Sequence, residues 1–407
     1  MSAKVVWARR LAELGRPYKT IKAIEILEEV YPAMKGLGHP NVAQTALLLA
    51  RAYLANGQRK ESLEMHHQSL KLLEQLYGKN HITCAIAVSN MGHVYDAAGY
   101  YERALECFED SIERHRAGGR ESSDDAIRVS IRKSAVDIKL GNIQKALSDL
   151  KTLHAKVDIS FKSEIQLRIC EALSLSGDPK SAIDKCKKML NYLAKIGKQN
   201  PGKPNLRLMK WKFLLARMKE IEEDFSHALE LYEEVWQTSS RELNLENWNR
   251  LETDSCNAIV RVLVKQNEDE KALRRAMKML AMQDTSTPTQ SAELRQWLMA
   301  QVCEIYLQRG EKQKARKQFD EIGEIDEFTH RRIAGYVACC AGEVLLNEGE
   351  FEKAEKQLRD ADSIFSKFFL NPEVEHYATD NRKRFVKLYK TWGKPELAKE
   401  WIEVANQ

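Results

Sequence analysis

Met91-Gly92-His93-Val94-Tyr95-Asp96-Ala97-Ala98-Gly99-Tyr100-Tyr101-Glu102-Arg103-Ala104-Leu105-Glu106-Cys107-Phe108 is the stretch on which the fold turns. Gly99 stands where one helix would end and the chain needs a left-handed or open backbone, which glycine adopts without steric penalty. Ala104, one turn into the next helix, lets two helix backbones approach closely. Phe108, four residues further on the same face, fills the groove that remains. The pattern describes an antiparallel helix pair.

Working outward, glycines fall at 15, 57, 99 and 141, each 42 residues after the last. The Gly-x-x-x-x-Ala cadence returns at Gly141/Ala146, Gly177/Ala182, Gly310/Ala315, Gly349/Ala354 and Gly393/Ala398. Two further copies keep the alanine and replace the glycine, Glu223/Ala228 and Asn267/Ala272. Four residues after the alanine come Leu150, Cys186, Tyr232, Phe319, Leu358 and Ile402. With Ala23 and Ser62 at the equivalent place in the first two copies, about ten helix pairs are expected along the chain. One pair cannot bury its own apolar face, so successive pairs stack and share a core.

Composition agrees. The 407 residues carry 64 Lys and Arg against 59 Asp and Glu, a net charge of +5, and 43% are hydrophobic, which excludes a disordered chain. Glycine and proline number only 19 and 9, too few for the many tight turns of a β-sandwich or barrel. No apolar run reaches the length of a membrane span, and the start lacks a signal-peptide core. The eight cysteines include no Cys-x-x-Cys pair and read as buried thiols of a reducing compartment, so a cytoplasmic protein is expected. The chain is mildly basic but without the Lys/Arg runs of a nucleic-acid-binding arm.

The search for chemistry is negative. There is no phosphate-binding Gly-x-x-x-x-Gly-Lys-Ser/Thr loop, no dinucleotide fingerprint and no nucleophile elbow, so neither an enzyme nor a cofactor is expected. His66 and His67 are adjacent on a helix, about 100° apart, and cannot chelate one metal; they read as a core-edge and solvated pair. Glu222-Glu223-Asp224 and Glu268-Asp269-Glu270 are turn charges favoured by the dipole of the following helix. Cys339-Cys340 diverge on a helix and read as buried residues, and the seven tryptophans fall mostly at helix-packing positions.

With Met91-Gly92-x-x-Tyr95 ahead of Gly99, Ala104 and Phe108, the chain resembles the tetratricopeptide repeat. The stretch from 39 to 115, with His39-Pro40-Asn41-Val42-Ala43, Leu76-Tyr77-Gly78-Lys79-Asn80-His81 and the 42-residue period, resembles the kinesin light chain variant. The resemblance implies an all-α α-solenoid, a right-handed superhelix of about ten antiparallel pairs whose first helices line a concave groove. It is expected to be a single array over 1–407, with an articulation at 197–205 dividing 1–196 from 206–407.

Carrying the family's inward positions across gives Arg51, Asn90, His93, Arg128, Arg132, Arg168, Lys210, Arg217, Asn257 and Arg261 as partner-binding residues. Asn90 matches the asparagine with which kinesin-light-chain-type repeats hold peptide backbone. Basic residues dominate this lining, so the expected partner is a protein or peptide with an acidic segment, gripped by arginine. Reversing charge at Arg132 and Arg168 is expected to weaken partner binding and leave the melting temperature unchanged. Ser89 and His93 stand where the chaperone-binding subfamily needs Lys and Asn, which argues against that ligand. Asp380-Asn381-Arg382-Lys383-Arg384, with Lys387 and Lys390, reads as a second basic patch or a soluble cap. The functional expectation is a non-enzymatic scaffold or adaptor. The alternatives are a structural subunit of a larger assembly using its convex face, and an RNA-binding helical repeat. The uneven spacing of the anchors, 36 residues from Ala146 to Ala182 but 46 from Ala182 to Ala228, disfavours a one-unit-one-base register.

Overall fold

The left-handed turns sit where the cadence puts them. Gly57, Gly99, Gly141, Gly177, Gly310, Gly349 and Gly393 all take φ between 72° and 88°. The two positions without glycine take the same hand, Glu223 at 59° and Asn267 at 57°, and these are the described non-glycine residues with positive φ. A left-handed residue after a helix lets its own and the next N–H close back on the last-turn carbonyls. Around Gly99, its N–H bonds Asp96 O at 3.1 Å and that of Tyr100 bonds Tyr95 O at 2.9 Å. At Glu223 the same closure runs from Asp224 N to Lys219 O at 2.9 Å, while the Asp224 carboxylate accepts from His227 and Lys219 at 2.8 and 3.2 Å.

The computed structural model describes residues 2–13, 17–36, 41–197, 205–240, 246–283, 290–368 and 372–405. Among them are twenty α-helices and no strand. They form ten consecutive pairs: α1 (Ser2–Glu13) with α2 (Pro17–Gly36), α3 (Val42–Ala55) with α4 (Arg59–Tyr77), α5 (Ile82–Ala98) with α6 (Tyr101–Ala117), α7 (Asp124–Lys139) with α8 (Ile143–Lys156), and α9 (Ile159–Leu175) with α10 (Pro179–Gly197). Then follow α11 (Leu206–Ile221) with α12 (Phe225–Ser239), α13 (Glu246–Lys265) with α14 (Asp269–Gln283), α15 (Gln290–Gln308) with α16 (Lys312–Asp320), α17 (Arg331–Glu348) with α18 (Phe351–Phe365), and α19 (Pro372–Thr391) with α20 (Pro395–Ala405). The fold is the all-α, tetratricopeptide-like helical repeat that the sequence implied. Gly15, His39, Pro40, residues 198–204 of the expected articulation and the 284–289 connection lie outside the described residues. Helix starts obey local chemistry: Ser123 Oγ accepts from Ala126 N at 3.3 Å, and Asn205 Oδ1 accepts from Arg207 N and Leu208 N at 3.0 and 3.3 Å.

The chain divides into two compact units, Met1–Ile138 with Asn142–Ser255, and Lys139–Gly141 with Cys256–Gln407. Within each, the anchor alanines are sealed in: Ala104, Ala146, Ala182 and Ala228 in the first and Ala272, Ala315 and Ala354 in the second have no exposed surface. Opposite these seven, twelve residues earlier, stand Gly92, Ser134, Cys170, Ala216, Cys303 and Gly342, with Val260 the bulkiest, and Ala50 stands likewise before Ser62. Contact there is close enough for side chains to reach backbone, since Ser62 Oγ donates to Ala50 O at 2.8 Å and Cys303 Sγ to Ala315 O at 3.4 Å.

At Gly92 an added Cβ would lie 2.8 Å from the Phe108 ring, and at Gly342 2.5 Å from Leu358 Cδ2. These distances decide the sign of a substitution. Gly92→Val gains some helix propensity, but it overfills a packed site beside a rigid ring and is expected to lose about 1–3 kcal/mol net. Denaturant unfolding should show a lower midpoint than wild type, and an unchanged midpoint would contradict the close approach.

Candidate functional site

In the first unit, the positions expected to face inward stand 11, 14 and 18 residues before the anchor, on the first helix of each pair. Arg51 on α3 is exposed, and Asn90 and His93 on α5 are half-buried one turn apart. Arg128 and Arg132 on α7 are exposed, with the Arg128 guanidinium 5.2 Å from the Phe161 ring centroid. On α9 and α11 the charges are already engaged. Glu171 Oε2 accepts from Arg168 Nη1 at 2.7 Å, and Glu171 Oε1 accepts from Arg217 Nη1 at 3.4 Å, with all three side chains less than a third exposed. Arg168 Nε remains buried without a hydrogen-bond partner. Lys210 on α11 is half-buried and has a partner within the fold. The arrangement places guanidinium, amide and imidazole groups on three successive pairs, then a half-buried carboxylate shared between two arginines.

His66 lies beneath this surface rather than at the core edge. It is four residues after Ser62, the place Phe108 and Leu150 occupy in the next two pairs, and is completely buried, with neither ring nitrogen hydrogen-bonded. Burial, reinforced by Arg51, His67 and His93, lowers its pKa to about 3. His67 on the adjacent position is exposed.

In the second unit the same positions are filled by the protein's own side chains. Asn257 is 3% exposed, buried in α13; it stands 15, not 14, residues before Ala272, and one residue on a helix turns a side chain by 100°. Arg261, 11 before the anchor, hydrogen-bonds the Tyr377 hydroxyl. Tyr377 packs edge-on to Trp297 and Tyr336 at 5.9 and 5.1 Å, Trp297 stacks on Tyr336 at 5.3 Å, and the Arg332 guanidinium lies 4.9 Å from Trp297. Alongside, Arg384 donates to Glu304 at 2.5 Å and to Glu343 at 2.8 Å, Lys387 donates to Glu343 at 2.8 Å, and the Tyr336 hydroxyl donates to Glu304. Burial alone would raise the Glu343 carboxyl; Arg384 and Lys387 outweigh it and hold it below the ordinary value. The basic run 380–384 is therefore only partly a surface patch. Lys383 is exposed, but Arg384 is buried in this network, and Asn381 is sealed in, donating to Leu358 O at 3.0 Å and accepting from Cys339 at 3.1 Å.

Beyond Asn257 and Arg261, these groups are not among the inward positions expected from sequence, although the signal was present: Trp297 and Tyr336 stand 18, Glu304, Glu343 and Lys387 stand 11, and Arg384 stands 14 before their anchors. Among the described residues no cluster of three His, Cys, Asp or Glu could hold a metal, and no helix is long and apolar enough to cross a membrane.

The tetratricopeptide repeat family matches residues 41–117. No curated protein sequence matches the chain. Among solved structures, a Rap protein complexed with competence and sporulation factor aligns with a TM-score of 0.50 at 11% identity, covering 96% of this chain and 100% of that one. Nearly identical TPR-like repeats of a kinesin-light-chain-type protein from Podosopora anserina align with a TM-score of 0.42 at 20% identity, over 49% of this chain and 97% of that one. BtubC (BKLC) from P. vanneervenii aligns with a TM-score of 0.41 at 15% identity, over 56% and 89%.

Proposed function

From the premise that residues 41–117 match the tetratricopeptide repeat family, we propose that the chain is a non-enzymatic scaffold whose first unit holds an acidic segment of a partner protein along α3, α5, α7 and α9. One observation carries the reading. Arg51, Asn90, His93, Arg128 and Arg132 stand 11, 14 or 18 residues before the anchor on three successive first helices, with the three arginines exposed, whereas Glu304, Glu343 and Arg384 at such places in the second unit are joined by internal ion pairs. Helices fixed by packing present these donors with little ordering entropy left to lose, and guanidinium groups match carboxylates bidentately. The Rap protein named above is complexed with a factor on a fold of this kind, which supports a binding role. A cytoplasmic setting belongs to the same proposal.

The structure separates the two arginines of the charge-reversal experiment. Arg132 is exposed, so Arg132→Glu is expected to weaken capture of acidic peptides, selected from a displayed library on the wild type, about tenfold, with the melting temperature unchanged. Arg168→Glu would set two carboxylates beside Arg217 and lower stability as well. If Arg132→Glu binds the selected peptides as well as wild type, the surface assignment fails.

A further inference from the structure

Between Asp184 and Glu220 the sequence holds eleven Lys and Arg and no acidic residue. The whole chain carries 64 basic residues against 59 acidic ones, so outside this stretch it is net negative. On α11 most of the stretch's charge is neutralised by carboxylates from elsewhere: Lys212 pairs with Glu234, Lys219 with Glu222 and Asp224 at 2.9 and 3.2 Å, and Arg217 with Glu171 at 3.4 Å. On α10 it is not. Ile183, Cys186 and Leu193 pack into one apolar cluster with Trp211 and Leu214, which turns Lys185, Lys187, Lys188 and Lys195 away from the core. All four are exposed, and among the described residues none has an ion-pair partner. Lys185, Lys188, Tyr192 and Lys195 fall at i, i+3, i+7 and i+10, within an arc of about 80° and over a rise of about 15 Å. Tyr192 is 57% exposed among them. The helix's one carboxylate, Asp184, lies at the start of the stripe, one turn before Lys188.

We propose that this exposed stripe of α10 binds a single-stranded nucleic acid, holding its phosphates and stacking on its bases without reading their sequence. Lysine ammonium groups meet backbone phosphates as point charges, and each phosphate neutralised releases condensed counterions, which favours the complex. The Tyr192 ring between them gives a base a face to stack on, and every base has a face to offer. Contact is to backbone and ring alone. The uneven repeat spacing that disfavours a one-unit-one-base register therefore places no restriction on it.

Other polyanions fit less well. A helix that lies in a membrane surface sinks an apolar face among the lipids, and the apolar face of α10 is buried in the core. Isolated carboxylates of an acidic peptide gain little from exposed lysines and make no use of the ring; the arginines of the first helices match them better. Because α10 is the second helix of its pair, the stripe is separate from those first-helix positions.

The test is fluorescence anisotropy of a short labelled oligoadenylate RNA titrated with the full chain. Affinity is expected to fall about twentyfold between about 50 and 200 mM salt, as three neutralised phosphates require. Lys188→Glu/Lys195→Glu is expected to weaken binding by about tenfold or more and to flatten that salt dependence. Tyr192→Ala is expected to weaken it about tenfold with the salt dependence kept. All three side chains are exposed, so the melting temperature stays at the wild-type value in both variants. No binding in low salt, or wild-type affinity in either variant, would overturn the proposal. Sedimentation of the chain with phosphatidylserine vesicles, or retention by polyglutamate, in place of RNA binding would overturn it in favour of a membrane or an acidic peptide.

Discussion

Arg384→Ala lowers the stability of the second unit by about 3–5 kcal/mol, because it leaves Glu304 and Glu343 buried without their main counter-charge. The side chains of Arg384, Glu304 and Glu343 are 10%, 18% and 16% exposed, so water cannot replace the guanidinium. The loss should be much smaller if the carboxylates are removed with it, as in Glu304→Gln/Glu343→Gln/Arg384→Met, since paired burial of charge is costly in the first place. Acid acts in the same direction as the single variant. Glu343 has a folded pKa below its unfolded value, so its contribution is fully present above the unfolded carboxylate range near pH 4.5 and disappears as pH falls through the lower folded value. Chemical unfolding of wild type and variants followed by tryptophan fluorescence measures both. A loss below about 1 kcal/mol for Arg384→Ala would show that the network is worth no more than a surface pair.

The first unit has an acid weakness of opposite chemical origin. His66 is buried neutral with a pKa lowered to about 3, against an unfolded value near 6.5, so the unfolded chain takes up a proton that the folded chain refuses. Stability is complete above pH 6.5 and falls as pH drops toward 3; between pH 7 and 5 the loss from this one residue is about 2 kcal/mol. Among the described residues nothing offers either ring nitrogen a partner, and the neighbouring Arg51, His67 and His93 make a further positive charge still less welcome. His66→Leu places in the second pair what Leu150 supplies in the fourth. It is expected to remove that 2 kcal/mol of pH dependence and to be at least as stable as wild type at pH 7. Melting curves of the two proteins at pH 5 and pH 7 check this, and parallel losses in both would place the sensitive group elsewhere.

The hairpins were legible because each is decided by residues within sixteen positions of one another: a left-handed turn, a methyl group five residues on, a bulky side chain four beyond that. Even Glu223 and Asn267 were readable as turn residues from Ala228 and Ala272 alone, although neither is a glycine. His66 was harder because adjacency to His67 drew attention to chelation, while its distance from Ser62 already assigned it to the core. Asn257 missed by a single residue of register. The Arg384 network lay furthest out of reach. Its carboxylates are 41 and 80 residues away in sequence, and a run of Arg and Lys resembles a solvated face until the partners are placed around it.

The regular part of this architecture is the span inside each pair, and the variable part is the joint between pairs. From the second pair onward, turn to anchor is five residues, whereas anchor to anchor runs from 36 to 46 between Ala146 and Ala228. Lengthening a hairpin by one residue would rotate its bulky side chain away from the small residue it faces. Extra residues added after a pair has closed disturb no such match. For anyone grafting a tag, a fluorophore or a foreign epitope into this chain, the safe insertion point is thus the exposed connection that follows α6, and the forbidden ones are the turns at Gly99 and Gly141.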